Sequence, residues 1–446
     1  MRFFVERLGW AIAGALALAL VAIAAGLAGA GPLDPTGSPG STRPRVEPRH
    51  PVPPDGWNGT FPITLDQPGS YFLTDDIYKP IDTPPAIVIT ESHVTLDLNG
   101  FSVRQRGCSG GDTTPLILVS GLALLRNITL EHGTVDGACG SGIKALNGAN
   151  PVETAVDGLV LRDLQITNSG GGGNSFEGAG VDANLTLRGL IEDVTVRFNI
   201  GIGIQGASGM VIRDCVASQN GRYGVLMQGY GTVSNCAAEG NGQHGFFLGS
   251  AASLNDCSAA FNGGDGVNAF DQSVIDGCAT WGNQGAGIVA GQDASVTDCS
   301  AVSNVGDGVR VGQRSAVRGC AANNNGASGI VAGLDSVVSA STASDNSEHG
   351  IRARSSYVFD SQADGNGAAI PNGAGILVDG TAPGARIEGN NVSVNDIGIA
   401  VTAPASNVIV RNSATANTTE FSIPGGNVAP IETAATLANP WANIDY

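Results

Sequence analysis

Charged side chains are scarce in this chain of 446 residues, and lysine is nearly absent, because Lys79 and Lys144 are the only two. Charged residues make up 14% of the sequence, whereas soluble globular proteins usually have ~25%. The 40 acidic residues outnumber the 22 basic ones and leave a formal net charge of -18. Nucleic acids and anionic lipid surfaces both attract basic proteins, so the composition argues against either as an electrostatic partner.

Long helices are not expected either, because glycine is too frequent. The sequence has 66 glycines, and each one in a helix interior costs ~1 kcal/mol relative to alanine. The glycines follow no strict three-residue period, which excludes a collagen-like triple helix. Hydrophobic residues make up 42% of the chain, so general disorder is not expected. The length allows two or three ordinary domains or one large all-β domain.

The first 30 residues predict an export signal peptide. Arg2 and Arg7 precede an uncharged apolar run from Leu8 to Ala30, whose end has the small residues typical of a cleavage site. An uncleaved run of this length would span a bilayer, so a membrane anchor stays open as the alternative and is the only membrane contact that we expect. Residues 31–56 hold eight prolines and predict an extended linker. We therefore expect a secreted, periplasmic or cell-surface protein.

Six of the eight cysteines recur at a fixed interval of 21 residues. These cysteines are Cys215, Cys236, Cys257, Cys278, Cys299 and Cys320. The same column continues backward to Val194 and forward to Ser341, and it then slips by one residue to Ser361. A fixed period of this length is typical of a solenoid, in which each repeat stacks on the next one.

Asparagine and glycine repeat with the same period. An asparagine stands five residues after each position of the cysteine column, at Asn199, Asn220, Asn241, Asn262, Asn283, Asn304, Asn325, Asn346 and Asn366. Glycine and a β-branched or aromatic residue follow, and pairs such as Val225/Met227 then show the two-residue period of a strand. We predict three short strands and three bends per coil, with coils ~4.8 Å apart. The β-coil domain spans residues 57–446, with an N-terminal cap and a C-terminal closing segment.

These features resemble the right-handed parallel β-helix proteins of the pectate-lyase-like superfamily. The resemblance rests on the Asn-Gly bends, the Gly-Ile and Gly-Val strand starts and the stretch Val94–Phe101, and it covers nearly all of the chain beyond the linker. It is closest to exported bacterial β-helix repeat proteins without an assigned reaction. The resemblance implies an all-β fold, a single-stranded right-handed parallel β-helix, and it alone supplies the handedness.

The cysteine column is interpreted as a buried stack of free thiols. Neighbouring coils bring the Cα atoms within disulfide range, but parallel Cβ atoms stay slightly too far apart. A single-file column offers no tetrahedral metal geometry, so no metal site is expected. Cys108 and Cys139 stand outside the column, and we expect a disulfide between them that closes the loop around residues 110–114.

Function on a solenoid lies on outward columns and loops, because inward columns form the core. The outward position of the glycine-started strand holds Lys144 and Asp182 as candidate catalytic neighbours. It also holds Phe247, Arg310 and Arg352 as candidate substrate-binding residues, with the two arginines two coils apart, about the span of one sugar-binding subsite. The alternative is an ordinary solvated surface.

The bend before each of these strands supplies three further candidate catalytic residues. Tyr223, His244 and Asp265 stand at equivalent positions of consecutive coils, so a tyrosine, a histidine and a carboxylate would lie within reach for acid–base chemistry, with the acid polarising the imidazole. Asp265 and Asp307 would also suit calcium, although one carboxylate per coil makes a weak site. The alternative is a variable turn that tolerates any small or polar residue.

The resemblance is specific for the fold and much less specific for a function. Polysaccharide-acting members of the superfamily bind substrate on the glycine-started face, and its lyases use clustered aspartates, of which we find none here. Gln243-His244-Gly245 is only a partial echo of the Gly-His-Gly motif of its polygalacturonase-like members. We therefore expect a non-catalytic glycan-binding or structural protein. The alternatives are a polysaccharide lyase or glycoside hydrolase and, third, an accessory factor in metal-centre maturation. No cofactor is expected, calcium excepted.

Overall fold

The structure is a computed structural model that describes residues 48–146, 156–171, 178–380, 384–402, 407–423, 427–433 and 439–445. The expected signal peptide and residues 31–47 of the expected linker lie outside this part of the chain. Within the described ranges, no helix has the length and apolarity needed to cross a bilayer.

One coil consists of three short strands, as the coil at Val211–Met227 illustrates. The first strand, Val211–Arg213, lies before the cysteine corner and the second, Val216–Ser218, follows it. The third strand, Val225–Met227, starts after the asparagine corner. We call the faces formed by these three strands face A, face B and face C. Three strands per coil is the number that the sequence predicts.

The strands of face A and face B join around the cysteine corner. Face A consists of Arg49–Val52, Gly69–Leu73, Val94–Asp97, Thr186–Leu187, Val211–Arg213, Thr232–Ser234, Ser253–Asn255, Val274–Asp276, Ser295–Thr297, Ala316–Arg318, Val337–Ser339, Tyr357–Phe359, Arg386–Glu388, Val408–Val410 and Asn427–Val428. Face B consists of Ile77–Lys79, Ser102–Gln105, Val216–Ser218, Ala237–Glu239, Ser258–Ala260, Ala279–Trp281, Ser300–Val302, Ala321–Asn323, Thr342–Ser344, Gln362–Asp364, Asn391–Ser393, Ser413–Thr415, Ile431–Thr433 and Asn443–Asp445. Leu125–Asp136, Val156–Thr167 and Leu190–Arg197 run through both faces without a break.

Face C is a separate sheet of 16 strands within the described residues. Its strands are Ile63–Leu65, Ile87–Ile89, Ile117–Val119, Ile143–Ala145, Val181–Ala183, Ile204–Gly206, Val225–Met227, Phe246–Leu248, Val267–Ala269, Ile288–Ala290, Val309–Val311, Ile330–Leu334, Ile351–Arg354, Ala374–Val378, Ile397–Val401 and Thr419–Ser422. Each strand pairs in parallel with the equivalent strand of the next coil, so that Leu226 lies opposite Phe247. The prediction of an all-β parallel β-helix with coils of about 21 residues is confirmed.

Like residues stack on like residues inside the coil. Ile212, Val233 and Leu254 are fully buried at equivalent positions of consecutive coils. The asparagine corner adds a ladder: Nδ2 of Asn241 donates to Oδ1 of Asn262 at 2.9 Å and to the carbonyl of Ala217 at 3.0 Å. These buried bonds satisfy amides that would otherwise cost free energy inside the core.

The six cysteines of the column are buried and free. Each thiol also bonds to the backbone: Sγ of Cys215 donates to the carbonyl of Arg213 at 3.0 Å, and the backbone N–H of Cys236 donates to Sγ of Cys257 at 3.4 Å. The hydrogen bond to Cys299 and then burial raise the pKa of Cys320. The thiols of the column therefore make hydrogen bonds to the backbone as well as filling space.

Cys108 and Cys139, which lie outside the cysteine column, form a disulfide with Cα atoms 5.5 Å apart.

The expected linker does not extend to residue 56, because Arg49–Val52 is already a strand and pairs with Gly69–Leu73. Among the described residues, this strand is the first of the stack and pairs on one side only, and an edge strand of this kind tolerates Pro51.

Candidate functional site

The outward column of face C holds five of the candidate residues. Lys144 pairs in register with Asp182, and four coils of the same face separate Lys144 from Phe247 by ~19 Å at the usual strand spacing. Arg310 lies opposite Val331, which in turn lies opposite Arg352. The face therefore presents these side chains in one line along the axis of the helix.

The first cleft on face C has a volume of about 370 Å³. Nζ of Lys144 lies 3.6 Å from Oδ2 of Asp182 in this cleft, and Tyr223 and Phe247 line it as well. The cleft thus combines an ion pair with aromatic surface.

Three aromatic rings of face C form one stacked cluster. The ring centroids of Tyr223 and Phe247 lie 5.0 Å apart, and those of His244 and Phe247 lie 5.7 Å apart. Tyr223 and His244 stack with an angle of 3° between their planes. The guanidinium of Arg222 lies 5.2 Å from the centre of the Tyr223 ring. The bend column and the strand column, which are separate in the sequence pattern, meet here.

The imidazole of His244 accepts a hydrogen bond from the backbone of the next coil. Its Nδ1 accepts a hydrogen bond from the backbone N–H of Asp265 at 2.9 Å. An Nδ1 that accepts this bond carries no proton, so it cannot donate to Oδ2 of Asp265, which lies 3.4 Å away. Burial lowers the pKa of His244, against the opposing charge of Asp265. The imidazole is therefore neutral, and its remaining N–H is on Nε2.

Both oxygens of the Asp265 carboxylate also accept hydrogen bonds. Oδ1 accepts the backbone N–H of Ala286 at 2.8 Å, and Oδ2 accepts Nδ2 of Asn268 at 2.8 Å. Asp307 repeats this role, because its Oδ1 accepts the backbone N–H of Ser328 at 3.0 Å. Both aspartates thus bind backbone N–H groups of the next coil.

The second cleft on face C has a volume of about 430 Å³ and is lined by Arg310, Arg352 and Arg354. Nε of Arg310 donates to Oδ2 of Asp307 at 2.7 Å. Nε of Arg352 donates to Oδ2 of Asp379 at 2.7 Å, and Nε of Arg354 donates to Oδ1 of the same carboxylate at 3.2 Å. The carboxylates lie beneath the arginines, so the positive groups form the outer surface.

Acidic residues cluster elsewhere on the coil, which the sequence analysis did not find. Asp163, Asp193 and Asp214 occupy the corner before the cysteine column in consecutive coils, and all three have positive φ. Burial and then the charges of Asp163 and Asp214 raise the pKa of Asp193. Aspartate tolerates this left-handed conformation better than most residues, so we assign these side chains to the turn.

A group that offers metal ligands lies at the same corner. One ligand atom each from Asp97, Glu131 and His132 lie within 4.8 Å of one another. Arg49 already pairs with Asp97, and Nδ1 of His132 lies 3.2 Å from Oδ1 of Asp97. The fold thus brings Asp97 to Glu131 and His132, which are adjacent in the sequence.

Sequence reasoning missed several residues at the two clefts, among them Arg222, Glu348, Arg354 and, beneath the second cleft, Asp379. Arg222 stands one position before the bend column, and Arg354 stands two positions after Arg352 of the outward column. Asp379 belongs to a coil that is longer than 21 residues, because Ile351 pairs with Ile376. A fixed repeat offset could not align it with the arginines.

Comparisons with known proteins agree with this architecture. The family model described as "right handed beta helix region" matches residues 116–274, 201–336 and 266–415. Similar solved structures include the A-module of the mannuronan C-5 epimerase AlgE4 of Azotobacter vinelandii, at 16% identity, covering 81% of this chain and 91% of that chain with a TM-score of 0.36.

Two further structures are similar at the same level. The Dettilon tailspike protein is 14% identical, covering 72% of this chain and 59% of that chain with a TM-score of 0.34. The DFA-IIIase of Arthrobacter chlorophenolicus A6 is 12% identical, covering 77% and 94% with a TM-score of 0.32. Likenesses at this level carry no conclusion about substrate or reaction, and no curated protein matches the chain in sequence. The matched regions together span more than half of the sequence, and the chain belongs to the right-handed β-helix family.

Proposed function

We propose that this protein is an exported β-helix whose face C binds a glycan without changing it chemically. The observation that supports binding over catalysis is the backbone hydrogen bond at His244. The imidazole and the carboxylate best placed for acid–base work both serve as acceptors for backbone N–H groups of the next coil. A proton-transfer group must be able to exchange its proton with substrate at the reacting atom, and Nδ1 of His244 and Oδ1 of Asp265 are committed elsewhere.

Face C has the chemistry that a glycan requires. Aromatic rings bind the apolar faces of pyranose rings, and the cluster of Tyr223, His244 and Phe247 supplies them. Polar and charged groups fix the hydroxyl groups, and both clefts offer them on the same face. An extended polymer would lie along the line of coils and contact both clefts at once, so weak contacts per coil would add up along the polymer.

A carbohydrate-active enzyme is the second candidate, and one contact favours it. The ammonium group of Lys144 and the carboxylate of Asp182 lie 3.6 Å apart beside Tyr223 in the first cleft. A lysine ammonium that contacts substrate can donate a proton to a reacting group. In this alternative, Lys144→Met would abolish product formation, whereas in a binding protein there is no product to abolish.

The test is a glycan panel with two readouts on the same samples. The purified chain is incubated with neutral and acidic polysaccharides, and retained glycan, new reducing ends and unsaturated products are measured. We expect retention without products, and Phe247→Ala should weaken retention about tenfold because it removes a stacking surface. Phe261→Ala is the matched control, because Phe261 is half exposed directly after a face B strand, where it packs against Trp281 and lines neither cleft. Products that disappear in Lys144→Met would overturn the proposal.

The export part of the proposal rests on the sequence of residues 1–30 and has its own test. The N-terminus of the protein from the membrane-free exported fraction should begin near Gly31. A chain that keeps Met1 and fractionates with membranes would instead indicate an N-terminal anchor.

A further inference from the structure

We propose, resting on the proposed function, that face C binds an acidic glycan that carries one negative charge per disaccharide. The inference comes from the order of charges along three consecutive coils of the second cleft. Arg310 and Arg352 lie two coils apart in register, with Val331 between them. Two strand spacings amount to ~10 Å, which is the length of a disaccharide in an extended chain.

The two arginines are held in position by carboxylates that are less exposed than the arginines themselves. Asp307 is only 4% exposed, and its Oδ1 is fixed by the backbone N–H of Ser328, so its Oδ2 orients Arg310. Oδ2 of Asp379 orients Arg352, while its Oδ1 accepts a hydrogen bond from Nε of Arg354. The side chains of Arg310 and Arg352 are 59% and 36% exposed. A guanidinium held by one edge keeps its other N–H groups for a carboxylate or sulfate.

The coil between the arginines disfavours a negative charge. Its outward residue, Val331, is apolar, and it can contact only the uncharged part of a sugar. The carboxylate of Glu348 reaches this coil, because Oγ of Ser328 lies 3.4 Å from Oε2 of Glu348, and Glu348 lines the cleft. A charged sugar at this position would meet a like charge, the carboxylate of Glu348.

Along the axis of the helix, the cleft therefore presents the guanidinium of Arg310, then Val331 with the carboxylate of Glu348 beside it, and then the guanidinium of Arg352. A polymer with one charge on every sugar would place every second charge against Glu348. A polymer with one charge on every second sugar would place each charge on an arginine and each neutral sugar on Val331. Discrimination of this kind comes from the repulsive element as much as from the attractive ones.

The experiment compares three oligosaccharides of equal length by titration calorimetry. They are a hyaluronan oligosaccharide with one carboxylate per disaccharide, an oligogalacturonate with one carboxylate per sugar, and a neutral glucan. We expect the hyaluronan oligosaccharide to bind at least tenfold more tightly than the other two. Arg310→Gln and Arg352→Gln should each weaken its binding about tenfold, whereas Arg314→Gln, which removes an exposed arginine paired with Asp293 off this column, should not.

A second variant tests the repulsive element. Glu348→Gln should strengthen binding of the oligogalacturonate several-fold and leave binding of the hyaluronan oligosaccharide within twofold. Equal binding of all three probes, or tighter binding of the oligogalacturonate by the unmodified chain, would overturn this inference and leave the glycan-binding proposal standing. Failure of every glycan in the wider panel would overturn the proposed function and this inference together. Unchanged unfolding temperatures of the variants show that the fold is intact.

Discussion

The backbone N–H of Asp265 donates a hydrogen bond to Nδ1 of His244 across adjacent coils, at 2.9 Å. The same relationship recurs along the bend column, where a side chain accepts the N–H of the residue one coil further on. The other instances are Ala286 to Asp265 at 2.8 Å, Ser328 to Asp307 at 3.0 Å and Ala374 to His349 at 3.0 Å. The bend column is thus a structural element of the stack, and its histidines stabilise the fold only in their neutral form.

This arrangement predicts that the protein loses stability in mild acid. Burial lowers the pKa of His244 and of His349 in the folded protein. Asp265 opposes the shift at His244, and Glu348 and Asp379 oppose it at His349, where Arg352 reinforces it. The unfolded chain therefore binds more protons as pH falls below the ordinary histidine pKa of ~6.5. The contribution of the two neutral histidines to the free energy of unfolding is therefore complete above that pH and is lost as the pH falls below it.

The measurement is the unfolding temperature between about pH 7.5 and pH 5.5. In a chain carrying both His244→Asn and His349→Asn, the unfolding temperature should fall much less over this pH range, because an asparagine oxygen can accept the same N–H without titrating. A matched control is His93→Asn, at an exposed corner with positive φ, where no such backbone bond is made. The same drop in the double variant would show that the histidines do not cause it.

The asparagine ladder predicts a large loss of stability on truncation. Asn262 accepts both the N–H and Nδ2 of Asn241 and donates to Asn283 and to the carbonyl of Ala238. Asn262→Ala should therefore cost about 3 kcal/mol or more, since it leaves buried groups without partners on both neighbouring coils. Asn255→Ala, at an outward position of the same coil, should cost less than about 0.5 kcal/mol. Denaturant unfolding of the three proteins gives the comparison, and equal losses would contradict the ladder's role.

The cysteine column predicts different effects for two small substitutions. Sγ of Cys257 accepts the N–H of Cys236 and donates to the carbonyl of Asn255. Cys257→Ala should cost about 1–3 kcal/mol, because both bonds and buried volume are lost. Cys257→Ser should cost less, because Ser341 already makes the same two kinds of bond further along the column. A serine variant that is less stable than the alanine variant would contradict this account.

Thiol titration checks the state of the column independently. The unreduced protein should show six reactive thiols only after unfolding, because the column is buried and Cys108 is bonded to Cys139. Rapid reaction of these thiols in the folded protein would show that the column is accessible.

Much of the fold could be predicted from the sequence, because equivalent residues recur at the corners and strands of each coil. The spacing of Cys215 and Cys236 fixes the coil length, and the glycine before Val225 and Phe246 fixes the start of face C. The strand Arg49–Val52 could not be foreseen, since proline density is typical of a linker and the edge position that tolerates Pro51 is visible only in three dimensions.

The site was predictable in its columns but not in its hydrogen bonds. Periodicity places Tyr223, His244 and Asp265 in consecutive coils, but it does not tell which atom of an imidazole faces which group. That choice decides between proton transfer and support of the backbone. The pairing of Arg352 with Asp379 was likewise hidden, because the intervening coil is longer than the repeat.

The most direct test of the account is hydrogen–deuterium exchange with and without a glycan that the protein retains. We predict slower exchange in residues 222–228, 243–249, 307–312 and 349–354, which carry both clefts of face C, and unchanged exchange in residues 276–282 on the far side. Protection at residues 276–282, with none on face C, would contradict the claim that face C is the binding surface.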